Sequence, residues 1–310
     1  MDFDIIGDVH GHAEALVALL GHLGYRKQGN TWRHPLRQAL FVGDFIDRGP
    51  GQLATVNLVR HMVDAGAARA VMGNHEFNAI AWHTSDPLTH GEYLRPRSGC
   101  VGVKNFEQHQ RFLEEVRNPS VHAEVIDWFL TLPLWLDLPE LRVVHACWND
   151  DAMAVLTPLL TPETQLTTAL VELASRPGTM EFRSAECLTK GIEIPLPNGH
   201  TFQDKDGHER KSVRIRWWDD KASTYQALAL MPGDELSKLP NLPVPVGSNT
   251  GYSGSKPLFF GHYWMQGIPA PLSEHAACVD YSVAKGGKLV AYRFASGEPL
   301  SSRNFTWVGD

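Results

Sequence analysis

Three short stretches hold the residues whose types and spacing could do chemistry. Gly43-Asp44-Phe45-Ile46-Asp47-Arg48-Gly49 puts two carboxylates and a guanidinium on one loop, directly after the apolar run Ala39-Leu40-Phe41-Val42. Gly7-Asp8-Val9-His10-Gly11 follows Phe3-Asp4-Ile5-Ile6, and Gly73-Asn74-His75-Glu76 follows Ala70-Val71-Met72. Each apolar run reads as a buried strand, and each glycine lets the chain turn sharply where the strand stops. Carboxylate, imidazole and amide oxygen are thereby delivered to strand ends, the edge at which open α/β sheets place their ligands. One Gly-Asp after a strand is an ordinary turn. Three in series, all bearing hard or borderline donors, point to a metal site.

The blocks read GDVHG, GDFIDRG and GNHE. They resemble the metallophosphoesterase superfamily, and more narrowly its phosphoprotein-phosphatase-like branch, whose blocks are GDxHG, GDxxDRG and GNHE. That branch includes bacterial serine/threonine protein phosphatases and bis(5'-nucleosyl)-tetraphosphatases. The resemblance covers residues 3 to 84 densely, and 141 to 145 and 257 to 294 more thinly. It implies an α/β fold (α+β in layer terms): the calcineurin-like sandwich of mixed sheets flanked by helices. It also implies a ligand set in which Asp44 bridges two metals, with Asp8 and His10 on the first and Asn74, His145 and His262 on the second. His145 ends the strand-like Leu141-Arg142-Val143-Val144 but precedes Ala146, where the family usually has glycine. His262 stands in a Gly-His pair after Pro257-Leu258-Phe259-Phe260, as the family places its last histidine.

Oxygen and nitrogen donors without a thiolate suit manganese foremost, and also iron or zinc. Six ligands exceed one site with open positions, so two divalent metal ions are expected. Two such cations outweigh the two aspartates, and the pocket should therefore attract phosphate. Water activated between the metals would attack phosphorus. Arg48 is the candidate clamp on the phosphate oxygens. His75 is the candidate general acid toward the leaving oxygen, with Asp47 holding its other ring nitrogen. The expected activity is phosphoester hydrolysis on a phosphorylated small molecule, a nucleotide or a phosphoprotein. Dinucleoside polyphosphate (phosphoanhydride) hydrolysis, with the same metals, is the alternative. A non-catalytic phosphate-binding regulator is a third possibility, against which intact Asp47, Arg48 and His75 speak.

The elements that must position these residues alternate as βαβ. Ala15, Leu16, Leu19, Leu20 and Leu23 have helical spacing over 12–23, Leu53 to Val63 mark a second helix over 52–65, and a third follows Gly73. Residues 84–104 read as a long surface loop able to contact substrate. Two helices are predicted over 105–117 and 120–131. Between 150 and 256 the pattern weakens to a helix over 162–175, turns at Asn198-Gly199 and Asp206-Gly207, a strand over 213–218 and a loop over 240–257. This stretch is predicted to be a cap or insertion within a single domain spanning 1–310. Its cluster Arg210, Arg214, Arg216, Trp217 and Trp218 offers substrate-binding candidates, an arginine for a phosphate oxygen and a tryptophan to stack on a base or phenyl ring. Ala277 to Tyr281 and Lys288 to Tyr292 read as a closing pair of strands around Gly286-Gly287.

Hydrophobic residues at 43% and charged residues at 20% describe an ordinary globular chain and exclude disorder. A formal charge of −7 argues against a surface for long nucleic acid. Four cysteines without CxxC spacing, Cys100, Cys147, Cys187 and Cys278, read as reduced thiols of a cytoplasmic protein. No apolar run approaches the roughly 20 residues that span a bilayer, so no membrane partner is expected.

Overall fold

The computed structural model describes residues 2–203, 209–231, 233–248 and 251–309. The Asp206-Gly207 turn signal lies outside the described residues, as do residues 249 and 250 of the loop expected over 240–257.

Two mixed sheets pack face to face. In the first, the strand Asp2–Ile6 runs parallel to Arg37–Phe41, which runs parallel to Ala68–Ala70. On its other side Asp2–Ile6 pairs antiparallel with Lys288–Phe294, which also carries Asp280–Tyr281 and Phe305–Val308. In the second sheet Ala276–Cys278, Leu258–Phe260 and Arg142–Val144 run parallel, and Trp135–Asp137 closes the edge antiparallel.

The period-two alternation of the central strand explains how it is buried on both faces. Phe3 and Ile5 point between the sheets and join Leu40, Val42, Val143, Phe259, Val279 and Tyr292 in one apolar cluster. Ile6 faces the other way, with Phe41, onto the helices Ala13–Leu23 and Gln52–Asp64, whose Leu16, Leu19, Leu20, Val56 and Val59 are fully buried. The sandwich thus puts the carboxyl ends of six parallel strands, three from each sheet, along a single edge.

Several expected elements differ. The helix predicted from 105 begins at Gly99 and runs to Glu115, so the preceding loop is shorter. Residues 162–175 yield only the helix Thr168–Ala174, while Asp150–Leu156 and Met180–Lys190 are helices without a sequence prediction. The run Ala277 to Tyr281 is not one strand: residues up to Cys278 lie in the second sheet and Asp280–Tyr281 in the first. The strand expected over 213–218 is confined to Ser212–Arg214, antiparallel to Glu193–Pro195. Leu188, Val213, Ile215 and Trp217 belong to the same apolar cluster as Leu16 and Val56, so this stretch shares the core of the sandwich.

Candidate metal centre and catalytic site

The strand-end loops hold each other by backbone bonds across the edge. Val9 and His10 donate their N–H groups to the Asp44 carbonyl at 3.1 and 2.8 Å, Gly11 donates to Phe45 at 2.7 Å, and Gly261 donates to the His145 carbonyl at 2.8 Å. Such close approach leaves no room for side chains. Gly43 has φ +102°, and a Cβ there would lie 2.5 Å from the Gly73 nitrogen; at Gly261 a Cβ would lie 1.9 Å from Asp8 Oδ1. His10, Asp44, Asp47, Arg48, His262 and Trp264 also adopt left-handed φ despite their side chains. Backbone strain of this kind is retained where function requires it.

The six residues of the expected ligand set are all brought together, and all are buried. His10 Nδ1 donates to the Ile46 carbonyl at 3.0 Å and His145 Nδ1 to the Val42 carbonyl at 2.7 Å, which in the neutral rings leaves a lone pair on each Nε2. His145 Nε2 then faces Asn74 Oδ1 at 3.2 Å and Asp44 Oδ2 at 3.4 Å, while His10 Nε2 lies 3.7 Å from the same Asp44 oxygen. Asp8 Oδ1, His10 Nε2 and His262 Nε2 are buried with no hydrogen-bond partner. Burial opposes charge on the His145 ring, but the Asp44 carboxylate beside it outweighs burial and raises its pKa, so a proton on His145 Nε2 can serve its contact with Asn74, whereas the three unpartnered atoms suit cations. Potential ligand atoms of His10, Asp44 and His75 lie within 4.8 Å of one another, as do those of Asp44, His145 and His262, and Asp44 belongs to both groups.

Electrostatics favour the same occupants. Burial pushes His10 down to about 4 and His262 well below its ordinary value, the latter helped by the Arg214 guanidinium, so both imidazoles are neutral and able to ligate near pH 7. Burial, and after it the carboxylates of Asp280 and Asp44, push Asp8 well above the usual carboxylate range. Cations would relieve that repulsion. The donor set therefore fits two divalent metals, which when bound would polarise a phosphoryl oxygen and acidify water.

Beside this cluster, His75 Nδ1 hydrogen-bonds Asp47 Oδ2. Burial opposes charge on the His75 ring, but the carboxylates of Asp44 and Asp47 outweigh it and raise its pKa. Burial alone would raise Asp47; the imidazoles of His109 and His75 together hold it well below the usual range. A protonated imidazole oriented by an ionised carboxylate is suited to donate a proton.

A cavity of about 510 Å³ opens over Asp44, Asn74, His75 and His262. Arg48, Arg95, Lys190, Arg210 and Arg214 reach its wall, and among the described residues Asp44 is the lining carboxylate. Arg214 lies 3.6 Å from Glu193, and Lys190 pairs with Glu186. Arg216, Trp217 and Trp218 do not line the cavity. The two tryptophans are 1% and 4% exposed and pack on Phe260 at ring-centroid distances of 5.0 and 5.2 Å, with Trp217 Nε1 donating to the Tyr263 hydroxyl at 2.7 Å. Their expected stacking on a substrate ring is corrected: both indoles are buried in the apolar cluster that also holds Val213 and Ile215. Tyr263 and Trp264 are the aromatic residues on the cavity wall among the described residues, with the Arg48 guanidinium 5.3 Å from the Trp264 ring centre.

Residues 1–155 match the family described as calcineurin-like phosphoesterase. The chain belongs to this family. It is 49% identical over 156 residues to a protein of Halalkalibacterium halodurans named bis(5'-nucleosyl)-tetraphosphatase PrpE [asymmetrical], covering 49% of this chain and 59% of that one. The protein of the same name from Bacillus subtilis is 40% identical over 149 residues, covering 47% of this chain and 57% of that one. The chain thus spans less than two thirds of the length of these relatives. A solved protein serine/threonine phosphatase from Saccharomyces cerevisiae, with similarity to human phosphatase PP5, shares the fold at a TM-score of 0.50 and 13% identity, covering 100% of this chain and 79% of that one. No helix among the described residues is long and apolar enough to cross a membrane.

Proposed function

We propose that this chain is a two-metal phosphoester hydrolase. The observation that carries this is Asp44, whose buried Oδ2 lies 3.7 Å from His10 Nε2 and 3.4 Å from His145 Nε2, between the two ligand sets, while His75 and Asp47 lie beside it as an acid pair. Asp8, His10, Asn74, His145 and His262 complete the metal set, with manganese the first choice of metal. Arg48 draws the phosphate in, and His75 protonates the departing oxygen. Residues 1–310 act as one domain in which 150–256 cap the site, and the protein works in the cytoplasm.

The cavity wall favours a substrate with more than one phosphate. Lys190 and Arg214 already pair with Glu186 and Glu193, but Arg48 and Arg95 line the cavity without an acidic partner among the described residues, and Arg95 Nε is buried without a hydrogen-bond partner. A nucleoside polyphosphate, cleaved at a phosphoanhydride, satisfies them better than a phosphoprotein side chain, in keeping with the names of the relatives. A screen of diadenosine tetraphosphate, a phosphopeptide and an aryl phosphate on the manganese-loaded protein tests both levels. Turnover of the tetraphosphate with the highest kcat/KM is expected. Binding of all three without turnover would make the chain a phosphate-binding regulator instead.

A further inference from the structure

Asp47 does not serve His75 alone. Its Oδ2 accepts from His75 Nδ1, and its other oxygen, Oδ1, accepts from His109 Nδ1 at 2.7 Å. The Asp47 main chain is fixed as well, its N–H donating to Gln52 Oε1 at 2.6 Å, while Gln52 Nε2 donates to the Gly49 carbonyl at 2.7 Å. His109 arrives from the helix Gly99–Glu115, is 3% exposed, and packs against Phe112 and Trp82 at ring-centroid distances of 4.9 and 6.3 Å. Its Nε2 is buried with no hydrogen-bond partner. One nitrogen meets a carboxylate and the other finds nothing polar, so the ring proton belongs on Nδ1.

A carboxylate held at one oxygen can swing about its terminal torsion, which is broad and nearly two-fold. A donor on each oxygen fixes the carboxylate plane, and with it the direction in which the His75 ring is held. We propose that His109 is a positioning residue for the His75–Asp47 pair: through Asp47 it aims the His75 imidazole at the departing oxygen. It touches neither substrate nor metal. The inference rests on His75 acting as the acid, and its test separates the two.

The variant His109→Phe keeps an aromatic ring against Phe112 and removes the donor; His109→Leu is the second donor-less variant should the first fail to fold. His109→Asn places an amide N–H near the lost Nδ1–H. With zinc-loaded, metal-matched protein, the donor-less variants should lose on the order of tenfold in kcat on an alkyl phosphate, the usual scale for an orienting partner. They should lose distinctly less on an aryl phosphate, with KM unchanged on both. His109→Asn should recover most of the loss. In histidine-labelled protein, the hydrogen-bonded Nδ1 protons of His75 and His109 should both resonate far downfield, and the His75 proton should exchange faster with water in His109→Phe or His109→Leu. If His75→Asn shows leaving-group dependence but the donor-less variants leave both the alkyl-to-aryl ratio and the His75 proton unchanged, His109 is merely structural. If His75→Asn shows no such dependence, the acid role itself fails.

Discussion

The carboxylate of Glu76 accepts the backbone N–H of Asp44 at 2.8 Å. The same side chain accepts the N–H of Phe45 at 2.8 Å and of its own N-cap residue Gly73 at 3.0 Å, so one fully buried glutamate locks two metal-binding loops together. Removing it strands three buried donors, each costing about 1–3 kcal/mol. Glu76→Ala should therefore lose about 3 kcal/mol or more in urea unfolding and bind metal more weakly. Glu76→Gln should fall between, because the amide can replace only one of the two carboxylate oxygens as acceptor. Unchanged stability in Glu76→Ala would show that the loops stand without it.

Metal content tests the shared bridge. Elemental analysis should find two divalent ions per wild-type chain, loss of both in Asp44→Asn, and loss chiefly of one in His145→Ala, because only Asp44 belongs to both ligand groups. Full occupancy in Asp44→Asn would remove the bridge.

Trp217 separates core from cavity. Trp217→Ala empties a 1% exposed site against Phe260 and should cost about 3–5 kcal/mol of stability, with the ratio of kcat/KM between a nucleotide and an aryl phosphate preserved. Arg95→Ala should do the reverse, sparing the fold and lowering kcat/KM for the polyphosphate more than for the aryl ester.

His122 sets part of the acid sensitivity. Burial, with the neighbouring His83 ring at 4.6 Å adding to it, holds His122 down to about 4 against an ordinary 6.5. Between those values the unfolded chain binds the proton and the folded one resists it, so this contribution to stability is complete above about 6.5 and is lost as pH falls toward 4. His122→Phe should unfold with a shallower decline over that range. Equal slopes for the two proteins would assign the acid sensitivity to other groups.

The candidate site is legible in the sequence through the resemblance together with strand ends: Asp8, His10, Asp44, Asn74, His145 and His262 each follow an apolar run, and the structure brings these strand ends to one edge. His109 had no local signal: it lies 62 residues from Asp47, on a helix whose buried face is only Gly102, His109 and Phe112 and which exposes Val101, Val103 and Phe106. The first turn of that helix, Gly99-Cys100-Val101-Gly102, holds two poor helix formers and an exposed Val101, which explains why a start at 105 is predicted. Glu76 stood in a recognised block, and its spacing to Gly73 is that of a capping box, a signal that was available. The tryptophan chemistry alone does not say which way Trp217 and Trp218 face; packing on Phe260, a residue distant in sequence, buries both. The sheet change after Cys278 is a tertiary event, and no propensity records it.

The most direct measurement of the central claim compares His75→Asn with wild type on two esters at equal metal content. A general acid matters in proportion to how badly the departing oxygen needs a proton. Asparagine retains approximate size and some hydrogen bonding but delivers no proton near neutral pH. The loss should be about 10² to 10⁴ in kcat/KM for an alkyl phosphate and clearly smaller for p-nitrophenyl phosphate, whose phenolate leaves unaided. Arg48→Ala serves as the control and should slow both esters alike, since the phosphate oxygens it meets are common to them. An equal loss on both esters in His75→Asn would contradict the claim and leave His75 a phosphate ligand.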